Sequence, residues 1–127
     1  MIQVGTSLKI IDNSGAKKVL CLKVYNGYKR RYAVVGDVIL ISVKTLRKRR
    51  RFSSKVKKGG MHKALIVRTR SSLKTHSCDF THFTDNAAVL ITLKNKLVGT
   101  RIFGSLPKVL RFTKFLRLVS VSAGFVC

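Results

Sequence analysis

Gly36-Asp37-Val38-Ile39-Leu40-Ile41-Ser42-Val43-Lys44-Thr45 is the stretch that decides the fold class. Ile39, Ile41 and Val43 share one parity and Leu40, Ser42 and Lys44 the other, the period-two pattern of a strand with one face against a core. Gly36-Asp37 is the turn that launches it. Upstream, Lys18-Val19-Leu20-Cys21-Leu22-Lys23-Val24 is apolar and β-branched enough for a second strand, and Asn26-Gly27 marks the reversal after it. Leu8-Lys9-Ile10 runs into Asp12-Asn13-Ser14-Gly15, a turn cluster. Downstream, strand character returns at residues 64–67 and 87–93, on either side of a polar loop at residues 71–79. Gly99, Gly104 and Pro107 punctuate the last quarter. A short helix is expected around residues 107–115, with Pro107 in its first turn, and a final strand at residues 116–121. No internal repeat or domain break interrupts this succession. It predicts a single domain over residues 1–127, mainly β, built as a small barrel with a basic arm at about residues 45–60.

The charge balance is the second signal. Lys and Arg number 27 against four acids, Asp12, Asp37, Asp79 and Asp85, and the formal net charge is +23. A compact fold carrying this charge repels itself and needs a polyanion. Nucleic acid fits best, because each neutralised phosphate releases counterions. An anionic membrane is the competing partner, but it calls for an amphipathic basic helix, and none is evident. No run of roughly 18 apolar residues suggests a membrane-spanning helix, and the N-terminus has no secretory pattern. With 46% hydrophobic residues the chain has material for a real core, unlike a disordered basic tail. Cys21, Cys78 and Cys127 are too few and too scattered for a disulfide framework, which favours reduced thiols.

The charge is unevenly placed. Arg47-Lys48-Arg49-Arg50-Arg51, continuing through Lys55, Lys57 and Lys58, has no acid nearby and reads as a solvated, phosphate-binding arm. Lys29-Arg30-Arg31 is bracketed by Tyr28 and Tyr32. Those rings would either stack on an unpaired base or cap the barrel with wet hydroxyls, and the sequence does not choose. His76, Cys78 and His82 lack a paired-cysteine spacing and an evident fourth ligand, so they read as polar loop residues and not as a zinc site. No acid–base constellation or phosphate-cradling glycine motif assembles, so no enzyme, cofactor or metal is expected.

Specific strings can then be compared. Met1-Ile2-Gln3, Asp12-Asn13-Ser14-Gly15-Ala16, Lys29-Arg30-Arg31-Tyr32-Ala33, Val35-Gly36-Asp37, Lys55-Val56-Lys57-Lys58-Gly59, residues 64–69, Asp85-Asn86-Ala87 and Gly99-Thr100-Arg101-Ile102-Phe103-Gly104 stand in one order from end to end. In these strings the chain resembles the universal large-subunit ribosomal protein fourteen family, in its bacterial and organellar form. The resemblance implies a five-stranded β-barrel with a projecting β-ribbon and a short, partly helical C-terminal part. It implies large-subunit rRNA and neighbouring ribosomal proteins as partners, and a bridge to small-subunit rRNA across the subunit interface. A ribosome silencing factor docks on the same face in related ribosomes. Residues carried over or expected to bind RNA are Asn13, Ser14, Lys17, Lys18, Lys29, Arg30, Arg31, Arg47, Lys48, Arg49, Arg50, Arg51, Lys55, Lys57, Lys58, Arg68 and Arg70. Thr100, Arg101 and Arg117 are expected at the bridge or factor-docking surface. Asn13-Ser14-Gly15 is expected to expose amides where RNA backbone can approach closely, and Gly99 and Gly104 to hold Arg101 on a tight loop.

The chain departs from the family's pattern at Ser77-Cys78, where Asp-Gly is usual, in the longer and more basic residues 45–54, in its lack of Glu, and at residues 121–127. Its start aligns with the bacterial one, leaving no room for a presequence. Together with Phe, Leu, Ser and Arg enrichment, this points to a mitochondrial ribosome ahead of a plastid or bacterial one.

Overall fold

The structure, a computed structural model, describes residues 1–25, 27–48, 54–74, 80–115 and 117–126. Among the described residues nine strands run in chain order: β1 Ser7–Ile10, β2 Ala16–Val24, β3 Val38–Leu46, β4 Met61–Arg68, β5 Leu73–Lys74, β6 Phe80–Thr81, β7 Ala87–Ile91, β8 Ile102–Pro107 and β9 Ser122–Val126. A 3-10 helix, Lys108–Phe112, and a short helix α1, Arg117–Val121, lie between β8 and β9. Strands β1, β2, β3, β4 and β7 close a five-stranded barrel. Its ladders are antiparallel except for the closing one, where Lys9 and Ile10 of β1 run parallel to Ala87 and Ala88 of β7.

The parity read in β3 holds: Ile39, Ile41 and Val43 are buried, while Leu40, Ser42 and Lys44 are not. With Leu8, Ile10, Val19, Cys21, Ala64, Ile66, Ala88 and Leu90 they fill the barrel interior. A second cluster lies on the outer face of β4 and β7. There Leu65, Val67, Ala87, Val89 and Ile91 pack against Ile102, Leu106, Leu110 and Leu118 of the C-terminal part. All five residues of β7 are therefore buried, which explains why its sequence is a continuous apolar run and not an alternation.

Three expectations about local structure need correction. Residues 116–121, read as a final strand, are helical over Arg117–Val121, and the strand follows as β9. The cause is topological. β9 lies parallel to β8, with Leu106 paired to Phe125, and a parallel pair needs a crossover between its strands. The 3-10 helix and α1 supply it, and Leu110 and Leu118 seat it on the barrel. Pro107 stands at the cap of the 3-10 helix, with extended backbone, and not inside its first turn. The loop read at residues 71–79 also carries β5, which pairs with β6 in a two-stranded ribbon.

Candidate nucleic-acid interface

Asp12-Asn13-Ser14-Gly15 connects β1 to β2 and is built inward. Asp12 is fully buried, and its carboxylate accepts from the Ser14 amide (3.0 Å), the Ser14 hydroxyl and the Leu90 amide of β7 (3.0 Å). The Ser14 carbonyl accepts from the Lys55 amide (3.0 Å) and that of Gly15 from the Arg47 amide (2.9 Å). Gly15 has a φ of +105°, and a Cβ there would lie 2.6 Å from the Ser54 Cβ. This corrects the expectation of an amide-presenting turn. Ser14 is buried and its amide is engaged, and the backbone that approaches Gly15 closely belongs to the protein.

Immediately after this turn the chain changes character. Lys17 and Lys18 are both exposed, which strict strand alternation forbids. The β2–β3 ladder is irregular on both sides of Lys18, and that break in register turns both side chains outward. They line an open cleft of about 660 Å³ with Lys44, Thr45, Leu46, Lys48 and Lys58. Five lysines thus share one concave surface, and no acid is among its described lining residues. Such a surface carries a strongly positive potential suited to a polyphosphate backbone. The described acids are occupied elsewhere: Asp12 in its turn, Asp37 with Arg30 at 2.7 Å, and Asp85 with Lys9 and Arg68.

The model for the family described as Ribosomal protein L14p/L23e matches residues 1–126. The chain belongs to this family. It is accordingly a large-subunit ribosomal protein with a structural role in translation, and not an enzyme.

Within this L14p/L23e chain the expected site residues fall into distinct groups. Lys17, Lys18, Lys48 and Lys58 meet in the cleft, and Lys57 is exposed nearby in sequence. Lys44 joins them, although the sequence places it only on the solvent face of β3; its parity was the available signal. The described flanks of the basic arm are docked on the barrel, contrary to the reading of a wholly solvated segment. The reason is Val56, an apolar residue within the basic run that is buried in the barrel core. The arm is also held by main-chain hydrogen bonds, from the Gly59 amide to the Val43 carbonyl (2.8 Å) and from the Val43 amide to that of Gly60 (3.0 Å). Arg49, Arg50 and Arg51 lie outside the described residues, as do His76, Ser77 and Cys78.

Other cations have partners within the protein. The Arg47 guanidinium donates to the Ile10 carbonyl (3.1 Å) and lies 5.5 Å from the Phe103 ring centroid. Lys55 donates to the Val98 carbonyl (3.0 Å) and Arg70 Nε to the Thr84 carbonyl (2.7 Å). Arg68 is largely buried between Asp85 and Phe83. A guanidinium has five N–H donors, so one internal bond still leaves Arg47 and Arg70 able to reach an anion.

Asn13 and Thr100 clamp two loops together. The Asn13 side-chain amide donates to the Thr100 hydroxyl and its carbonyl accepts from the Thr100 amide, both at 2.8 Å. Gly99 permits this contact, since a Cβ there would meet Asn13 Oδ1 at 2.8 Å. Arg101 is exposed on the loop so fixed. Arg117 lines a separate depression with Lys96 and Lys114.

Proposed function

We propose that this ribosomal protein binds large-subunit rRNA through the Lys17–Lys18–Lys44–Lys48–Lys58 cleft. The carrying observation is five lysines on one concave surface with no acid among its described lining residues. We read the protein as a single domain with a basic arm at about residues 45–60, of which Lys48 and Lys58 line the cleft. A helical RNA of A-form geometry offers phosphates and 2′-hydroxyls more readily than base edges, so this contact follows shape and charge more than sequence.

The Thr100–Arg101 loop is the element we assign to the bridge with small-subunit rRNA. Its clamp to Asn13 fixes the backbone and leaves the Arg101 guanidinium exposed, as bidentate phosphate recognition requires. By the same resemblance, this face would receive a silencing factor. Exposure of Arg101 supports that reading, whereas Arg117 contributes from its own depression. The compartment we propose is the mitochondrion, on the residue usage of the chain, with no membrane as partner.

Competition tests the assignment. The purified chain should shift large-subunit rRNA in a gel, and excess anionic liposomes should not displace it. In cell fractions it should co-sediment with the mitochondrial large subunit. Capture by lipid in the presence of rRNA would overturn the RNA reading, and recovery in a plastid or bacterial large subunit would overturn the compartment alone.

A further inference from the structure

We propose that Tyr28 is a stacking platform for an unpaired RNA base, an inference that rests on the RNA-binding reading above. The sequence leaves two uses for the tyrosines around Lys29-Arg30-Arg31, and the structure separates them for Tyr28. A ring capping the barrel would be buried, whereas Tyr28 is 91% exposed. A ring in water keeps its apolar faces hydrated, and a nucleobase is a flat partner able to cover one.

The turn that carries Tyr28 is held in shape from within. The Arg30 guanidinium donates to the Asp37 carboxylate at 2.7 Å and its Nε to the Tyr32 carbonyl at 3.1 Å. The Val34 amide donates to the same carboxylate at 2.8 Å. Lys29 sits in the left-handed region, with a φ of +56°, and its ammonium lies 5.4 Å from the centroid of the Tyr28 ring. Arg31, next to it, is exposed. Ring and cation are therefore presented together, so a nucleotide stacked on Tyr28 would bring its phosphate towards Lys29. Little ordering remains to be done on binding. Base faces are hidden inside a duplex and available in loops and bulges, so the platform selects unpaired RNA, in contrast to the charge-driven lysine cleft.

The chain contains no Trp, so Tyr28→Trp places a single fluorescent reporter at the site. The probes are a single-stranded oligouridylate of about 12 nucleotides, within the span of known single-strand sites, and an RNA hairpin of similar charge. With the full chain, oligouridylate should quench the reporter and the hairpin stem should not. Tyr28→Ala should weaken oligouridylate binding by about 10-fold, in the range of one base–aromatic stack, with hairpin affinity unchanged and Tyr28→Phe close to wild type. No quenching at saturating oligouridylate, or an equal loss for both probes, would overturn the platform while leaving the cleft reading intact. Failure of the wild-type chain to bind either RNA would overturn both.

Discussion

The turn at Asp12-Asn13-Ser14-Gly15 and the cleft that begins two residues later at Lys17 are neighbours in sequence and opposites in physics. In the turn, the Asp12, Asn13 and Ser14 side chains and the Ser14 and Gly15 carbonyls have partners inside the protein, and the central carboxylate is fully buried. In the cleft, five exposed lysines share a surface with no acid among its described lining residues. The turn joins β1, β7, the arm and the Thr100 loop. Among the described residues no hydrogen bond or ion pair engages the lysine side chains of the cleft, and their charge raises the self-repulsion of the chain. Residues of the first kind should be felt as stability when removed, and residues of the second kind as affinity.

The sharpest way to break this contrast is to remove the Asp12 carboxylate. Asp12→Ala leaves two buried amide donors and a hydroxyl without their acceptor, and should lower stability by about 3–5 kcal/mol, measured by denaturant unfolding. Whatever fraction remains folded should keep the salt dependence of the wild type. Gly15→Ala comes next, at about 2–3 kcal/mol, since it combines a left-handed φ with a clash against Ser54. Ser54→Gly in the same chain should recover part of that loss, the clash but not the strain. Thr100→Val removes the hydroxyl that receives the Asn13 amide, and should cost about 1 kcal/mol in thermal unfolding. The smallest effect expected concerns Cys21. Burial pushes its thiol above the ordinary value of 9.0. A raised pKa in the folded state makes stability full below that value and lost as pH rises through the folded one. The fall in stability as pH rises above about 9 should therefore be shallower in Cys21→Val than in wild type.

Much of the barrel was legible because its strands obey simple parities. Ile39, Ile41 and Val43 announce a one-sided strand, and the apolar run at residues 87–93 announces a strand, although its burial on both faces emerged only with the C-terminal part packed against it. The C-terminal part was harder to read. Val119 and Val121 favour a strand locally, but the parallel pairing of β8 with β9 requires a helical crossover there, and no local propensity encodes that requirement. The site divided in a similar way. The cations were visible as residues, and Lys17, Lys18, Lys48 and Lys58 do converge. Their geometry was not visible, because it depends on the broken register around Lys18 and on Val56 docking the arm. Ser14 was misread because the sequence string reveals a turn without revealing which way it faces.

On the proposed reading the cleft serves RNA and the Asp12 turn serves the fold. The most direct test compares wild type with the triple variant Lys17→Gln, Lys18→Gln, Lys44→Gln, measuring affinity for large-subunit rRNA across salt concentration and thermal unfolding on the same samples. With each phosphate contact contributing about 0.7–0.9 to the log–log slope, the variant should show a slope shallower by roughly 2–3 and an unfolding temperature no lower than wild type. An unchanged slope, or a collapse of thermal stability, would contradict it.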